Sequence, residues 1–192
     1  MRHSTLEKCR EIIALRQTVL AQARDQIVAT GQAMAQAFAN GATLFAFGNG
    51  GSTTDAQDLM ADLLSPAQLG VRPLPAMALT NDIAVITAVG NDVGFENVFS
   101  RQIIAFGRPG DIAFGISTSG NSTNMSMAFK QAKKQNMVTV GLAGYDGGDM
   151  ARSQAVDHCI VVPSSNIPRI QEAQATVYHA LVELVQVLLA DE

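Results

Sequence analysis

Tryptophan is absent from this 192-residue chain, and aromatic residues make up only 5% of it. A core must therefore be filled by Ala, Val, Leu, Ile and Met, and apolar residues do reach 47%. That share excludes a disordered chain. Cysteine is scarce as well. Cys9 and Cys159 cannot build a multi-disulfide scaffold, and no CxxC pair offers a metal clip. There is no basic excess. Thirteen Lys and Arg against 17 Asp and Glu leave a formal charge of −4, the wrong sign for a nucleic-acid or anionic-membrane surface. No apolar run reaches the roughly 18 residues of a membrane span, and the charged opening MRHSTLEKCREIIALRQ does not read as a signal peptide. These absences predict a soluble, cytoplasmic protein with neither nucleic acid nor membrane as partner.

What is present is an alternation of elements. Residues 1–40 carry apolar side chains at a near-3.6 period, from Leu6 and Cys9 through Ile12, Ile13, Val19 and Leu20 to Met34 and Phe38. They predict an N-terminal helical arm: a kinked helix, a helical pair, or an arm that packs on another subunit. Ser4 or Thr5 can act as its N-cap, and with Ser4 as cap Glu7 stands at capping-box spacing. After Asn40-Gly41, short apolar runs predict strands at Thr43–Phe47, Ala76–Leu79, Asp111–Ile116, Val138–Ala143 and His158–Val162. Helical patterns separate them, including one over Phe95–Phe106, and Arg169–Leu189 closes the chain. The pattern predicts a single α/β domain over 1–192, a three-layer sandwich with a five-stranded parallel sheet.

Ligands of such sheets bind beyond the carboxyl ends of the strands, and polar turns cluster there. Ser117-Thr118-Ser119-Gly120-Asn121-Ser122 follows a strand and opens a helix. Its hydroxyls, its glycine and the helix-terminal N–H groups can cradle a phosphate dianion; the plainer alternative is a hydroxyl-rich turn that caps a helix. Gly48-Asn49-Gly50-Gly51-Ser52 lacks the lysine of a P-loop, and Thr53 replaces the last glycine of a dinucleotide fingerprint, so no nucleotide cofactor is expected. Asp58 and Asp62 lie four apart on one helical face. Two like charges there oppose one another unless a cation or proton relieves them. His179 sits in an apolar helical stretch, where a buried structural histidine is the ordinary alternative to a site residue.

The order GNGGS, VGND (Val89–Asp92), GISTSGNS (Gly115–Ser122), GYDGG and RIQE (Arg169–Glu172), with His179 beyond, resembles the phosphoheptose isomerases. These are sugar isomerase (SIS) proteins of flavodoxin-like fold, and the resemblance runs over essentially the whole chain. It implies substrate contacts from Asn49, Gly50, Gly51, Ser52, Asn91, Asp92 and Gln171, and a phosphate held by Ser117, Thr118, Ser119 and Ser122. Asp62 and His179 would be the catalytic pair, and Asp58, Asp62, Gln171 and His179 the ligands of one divalent metal, zinc in the family. The chain departs from that pattern where Asp62 replaces a glutamate, Asp58 a histidine and Gln174 a common histidine. Gln171 and His179 are also eight residues apart, about 12 Å along one helix. The expectation is a homo-oligomer, a tetramer, whose sites are shared between subunits.

The resemblance implies interconversion of sedoheptulose 7-phosphate with a heptose 7-phosphate through an enediol. The alternative is a non-catalytic SIS protein: an adaptor that binds the replication initiator DnaA, or a sugar-phosphate sensor. Retention of Asp62, Gln171 and His179 favours the enzyme.

Overall fold

The computed structural model describes residues 2–66 and 71–190. Five parallel strands, β1 (Leu44–Gly48), β2 (Ala76–Ala78), β3 (Ile112–Ser117), β4 (Val138–Ala143) and β5 (His158–Val161), form one sheet in the order β2-β1-β3-β4-β5. This is the flavodoxin-like arrangement, with its switch point between β1 and β3. β1 and β3 run in register from Leu44↔Ile112 to Gly48↔Ile116.

Successive strand residues feed opposite faces, and both faces are apolar. Leu44, Ala46, Ile112, Phe114, Val140 and Leu142 pack under α1 (Arg2–Ala39), α2 (Gly51–Leu64) and α7 (Ile167–Ala190). Phe45, Phe47 and Ala113 meet Val98, Phe99, Ile103, Met125 and Phe129 on the other side. That side is covered by α4 (Ser100–Phe106), α5 (Thr123–Lys134) and α6 (Gly148–Arg152). Four of the eight phenylalanines share this layer, where the Phe47 ring lies 5.4 Å from Phe99 and 5.2 Å from Phe129. α3 (Ile83–Asp92) stands apart: it packs on a short 3₁₀ turn, Phe95–Asn97, and buries none of its own residues.

Several expectations are corrected. The arm is one continuous helix rather than a pair, and it packs along α7 of its own chain. It already includes Arg2, so Ser4 and Thr5 both lie inside it and neither is the cap. The stretch 95–106 breaks into the 3₁₀ turn and α4, where Ser100 Oγ donates to the Asn97 carbonyl at 3.2 Å and a side chain competes for a helical acceptor. α7 has the length and mean apolar composition of a membrane span, although Arg169, Glu172 and Glu183 interrupt its apolar residues. Burial of Ile170, Ala173, Val177, Leu181, Val182 and Val185 accounts for that composition within the core.

Candidate functional site

The carboxyl edge of the sheet carries the hydroxyl-rich loop. Ser117 ends β3 and is buried, its Oγ accepting from Gly120 N at 3.0 Å, while Ser119 Oγ accepts from Asn121 N at 3.2 Å. Gly120 is required here: its φ is +68°, and a Cβ would lie 2.1 Å from the Gly147 carbonyl oxygen. Asn121 Oδ1 accepts from Asp149 N at 2.8 Å, so the GYDGG turn backs the loop. Thr118, Ser119 and Ser122 remain half-buried. Ser122 is the N-cap of α5 yet makes no side-chain capping bond, which leaves its hydroxyl and the helix-terminal amides for an anion.

Gln174, which sequence reasoning assigned no task, supports this loop from beneath. It is fully buried, and its Nε2 donates to the carbonyls of Ser117 and Leu142, both at 3.1 Å. Across the switch point, Asn49 and Asn124 exchange two amide hydrogen bonds of 2.9 Å each, joining the GNGGS loop to α5. Ser52 is buried in the first turn of α2. Gln171 stands over Gly51, where a Cβ would meet its Nε2 at 2.0 Å. Asn91 and Asp92 are exposed and bond to each other at 2.7 Å; among the described residues no hydrogen bond ties them to either loop.

Deeper along the α2–α7 seam lies a second cluster. His179 Nδ1 is 2.6 Å from Asp62 Oδ2, and its Nε2 is 3.6 Å from Asp58 Oδ2. Asp58 Oδ2 accepts from the buried Tyr178 hydroxyl at 2.7 Å. Burial and that bond to Asp58 hold the phenol well above its ordinary pKa, so Tyr178 is a donor and not a base. The imidazole is 47% exposed, which sets aside the reading of a buried structural histidine. With Asp62, Val182 and Glu183 it lines a cavity of about 230 Å³. Asp55, one turn before Asp58, is half-buried with no partner for Oδ2. Burial first, and the Asp58 charge second, push its pKa up to about 6. Tyr178 gave no signal in the sequence because its partner Asp58 lies across the seam, and Asp55 gave none because burial sets it apart.

The four groups implied as metal ligands do not converge. Asp62 takes one imidazole nitrogen, Asp58 faces the other, and Gln171 lies close over Gly51. Among the described residues no group of three His, Cys, Asp or Glu side chains is placed to hold a metal ion, where catalytic zinc sites keep three protein ligands.

A family model for the SIS domain matches residues 9–144. A phosphoheptose isomerase of Geotalea daltonii is 47% identical over 167 residues, 87% of this chain and 86% of that protein. Among solved structures, the phosphoheptose isomerase of Neisseria gonorrhoeae is similar with a TM-score of 0.88 at 35% identity, over 96% of this chain and 97% of the other. The one from Francisella tularensis reaches 0.90 at 32% identity, over 97% and 98%.

Proposed function

The chain belongs to the phosphoheptose isomerase family of SIS-domain proteins, and from that membership we propose that it converts sedoheptulose 7-phosphate into D-glycero-D-manno-heptose 7-phosphate. The observation that carries the proposal is the pairing of Asp62 with an exposed imidazole at 2.6 Å, on the scaffold that presents the hydroxyl-rich loop. An aldose–ketose isomerisation needs a group that exchanges protons near neutral pH, and imidazole is suited to it. The Asp62–His179 pair takes a proton from C1 of the ketose as the C1–C2 double bond forms and the C2 oxygen is protonated. Return of a proton to C2 and loss of one from the C1 hydroxyl give the aldose, the oxygen protons passing through solvent water. Thr118, Ser119 and Ser122 hold the phosphate, with Ser117 shaping their loop. Asn49, Gly50, Gly51, Asn91, Asp92 and Gln171 line the sugar. No nucleotide cofactor is needed, and no step runs through zinc, because the donor set does not fit it.

The whole chain serves as one cytoplasmic domain, working as a homotetramer. Leu6, Ile13 and Leu20, at 56%, 55% and 62% exposure, form a stripe of seven-residue spacing along α1, and Ile83 of α3 is exposed as well. Apolar stripes of this kind mark association surfaces. The reaction is tested by proton NMR of purified protein with sedoheptulose 7-phosphate. New aldose signals that vanish in His179→Ala are expected; an inert parent that still binds the sugar phosphate would favour a sensor instead.

A further inference from the structure

The two carboxylates of the α2–α7 cluster stand in different relations to the imidazole. Asp62 Oδ2 lies 2.6 Å from Nδ1, within hydrogen-bond range. Asp58 Oδ2 lies 3.6 Å from Nε2, outside it, and already accepts from the Tyr178 hydroxyl. A carboxylate bound at Nδ1 selects the tautomer that carries its proton there and leaves the Nε2 lone pair free. We propose that Asp62 is a positioning residue, and that Nε2 of His179 alone takes up and returns the substrate proton, without a metal ion. This rests on the isomerase reading and divides the roles within its pair.

Three features of the cluster carry the proposal. Asp62 has a single methylene, and its Oδ2 is committed to the Nδ1 edge of the ring. It cannot hold that bond and also extend over the opposite, Nε2 edge. Asp58, steadied by Tyr178, holds its carboxylate 3.6 Å from Nε2, facing the edge of the ring that takes up the substrate proton. Finally, among the described residues the carboxylate paired with Nε2 is that of Asp58, Asp62 being on the other nitrogen, and no group of three His, Cys, Asp or Glu side chains is placed to hold a metal ion. The aspartates that replace a histidine and a glutamate of the family pattern thus build a carboxylate–imidazole pair where the resemblance implies a metal centre.

The first test needs no substrate. Nitrogen-15 NMR of the imidazole should show the Nδ1–H tautomer in the parent and loss of that preference in Asp62→Ala; an Nε2–H tautomer in the parent overturns the assignment. Protein incubated with zinc chloride and desalted should hold well below one equivalent of zinc by elemental analysis. A full equivalent that disappears in Asp58→Asn overturns the metal-free half of the proposal. In the isomerase assay, Asp62→Ala should lower kcat by about 10²–10³-fold with KM nearly unchanged, less than the loss in His179→Ala. Equal loss in both variants would make Asp62 a second proton carrier. If the parent proves inactive on sedoheptulose 7-phosphate, the isomerase reading fails while the tautomer and zinc measurements still decide the pairing.

Discussion

Asp55 shows what a single unpartnered carboxyl does to stability. Its pKa, ordinarily 3.8, is raised to about 6 by burial and by Asp58. Between those values the folded protein holds a proton that the unfolded chain releases. Its contribution is therefore complete below the lower value and is lost as pH rises through the upper one. Asp55→Asn, neutral at every pH, should be more stable than the parent above about pH 7, by about 1 kcal/mol once solvent screening of this half-exposed group is allowed for. The gain should shrink toward about pH 4. Calorimetric melting of both proteins across that range checks the sign, and a gap that does not vary with pH would contradict it. At the hydroxyl-rich loop, Thr118→Ala and Ser122→Ala should each weaken sugar-phosphate binding by about 1–3 kcal/mol, the range for hydrogen bonds to a charged group. Titration calorimetry with sedoheptulose 7-phosphate measures it, and unchanged affinity in both would remove the phosphate from this loop.

Among the elements, α7 couples core and site most directly. Gln174→Ala would leave the Ser117 and Leu142 carbonyls without their shared donor. The expected cost is about 1–3 kcal/mol of stability, together with weaker phosphate binding because the loop rests on that contact. A variant that melts like the parent and binds phosphate as well would show the contact to be idle. The helix also marks the boundary of what is legible in the sequence. The strands β1, β3 and β4 lie within a residue of their expected positions, because apolar runs and the Gly-rich turns after them are local signals. STSGNS and GNGGS are legible as strand-to-helix turns for the same reason, since a turn is written in neighbouring residues. Asp58 with Tyr178 was not, since the partners are 120 positions apart and each has a plainer local explanation. The break near Asn97 depends on one hydroxyl bonding to one carbonyl, finer than any periodicity resolves.

At the scale of the whole molecule, the exposed stripe on α1 predicts the assembly. Ile13→Glu combined with Leu20→Glu should release 20.3 kDa chains from a larger oligomer, as followed by light scattering; a parent that is already monomeric at micromolar concentration would dismiss the stripe as an interface. Because Asp62 and His179 meet within one chain, a shared site has to be divided elsewhere, between the hydroxyl-rich loop and the α2–α7 cluster. Gly120→Asp and His179→Ala should each be inactive, and co-folded mixtures should regain part of the activity if those two parts come from different subunits. Mixtures that stay dead would mean self-contained sites. The sheet itself constrains how subunits meet. Its outer strands are brief, three residues in β2 and four in β5; Pro73 and Pro75 lead into the first, and Pro163 follows the second. Such margins offer few free amides to template a neighbour's backbone. Neither edge favours growth by adding strands, so an assembly of this chain, if formed, would be joined through side chains on helices and would close at a finite number of subunits instead of propagating as a fibre.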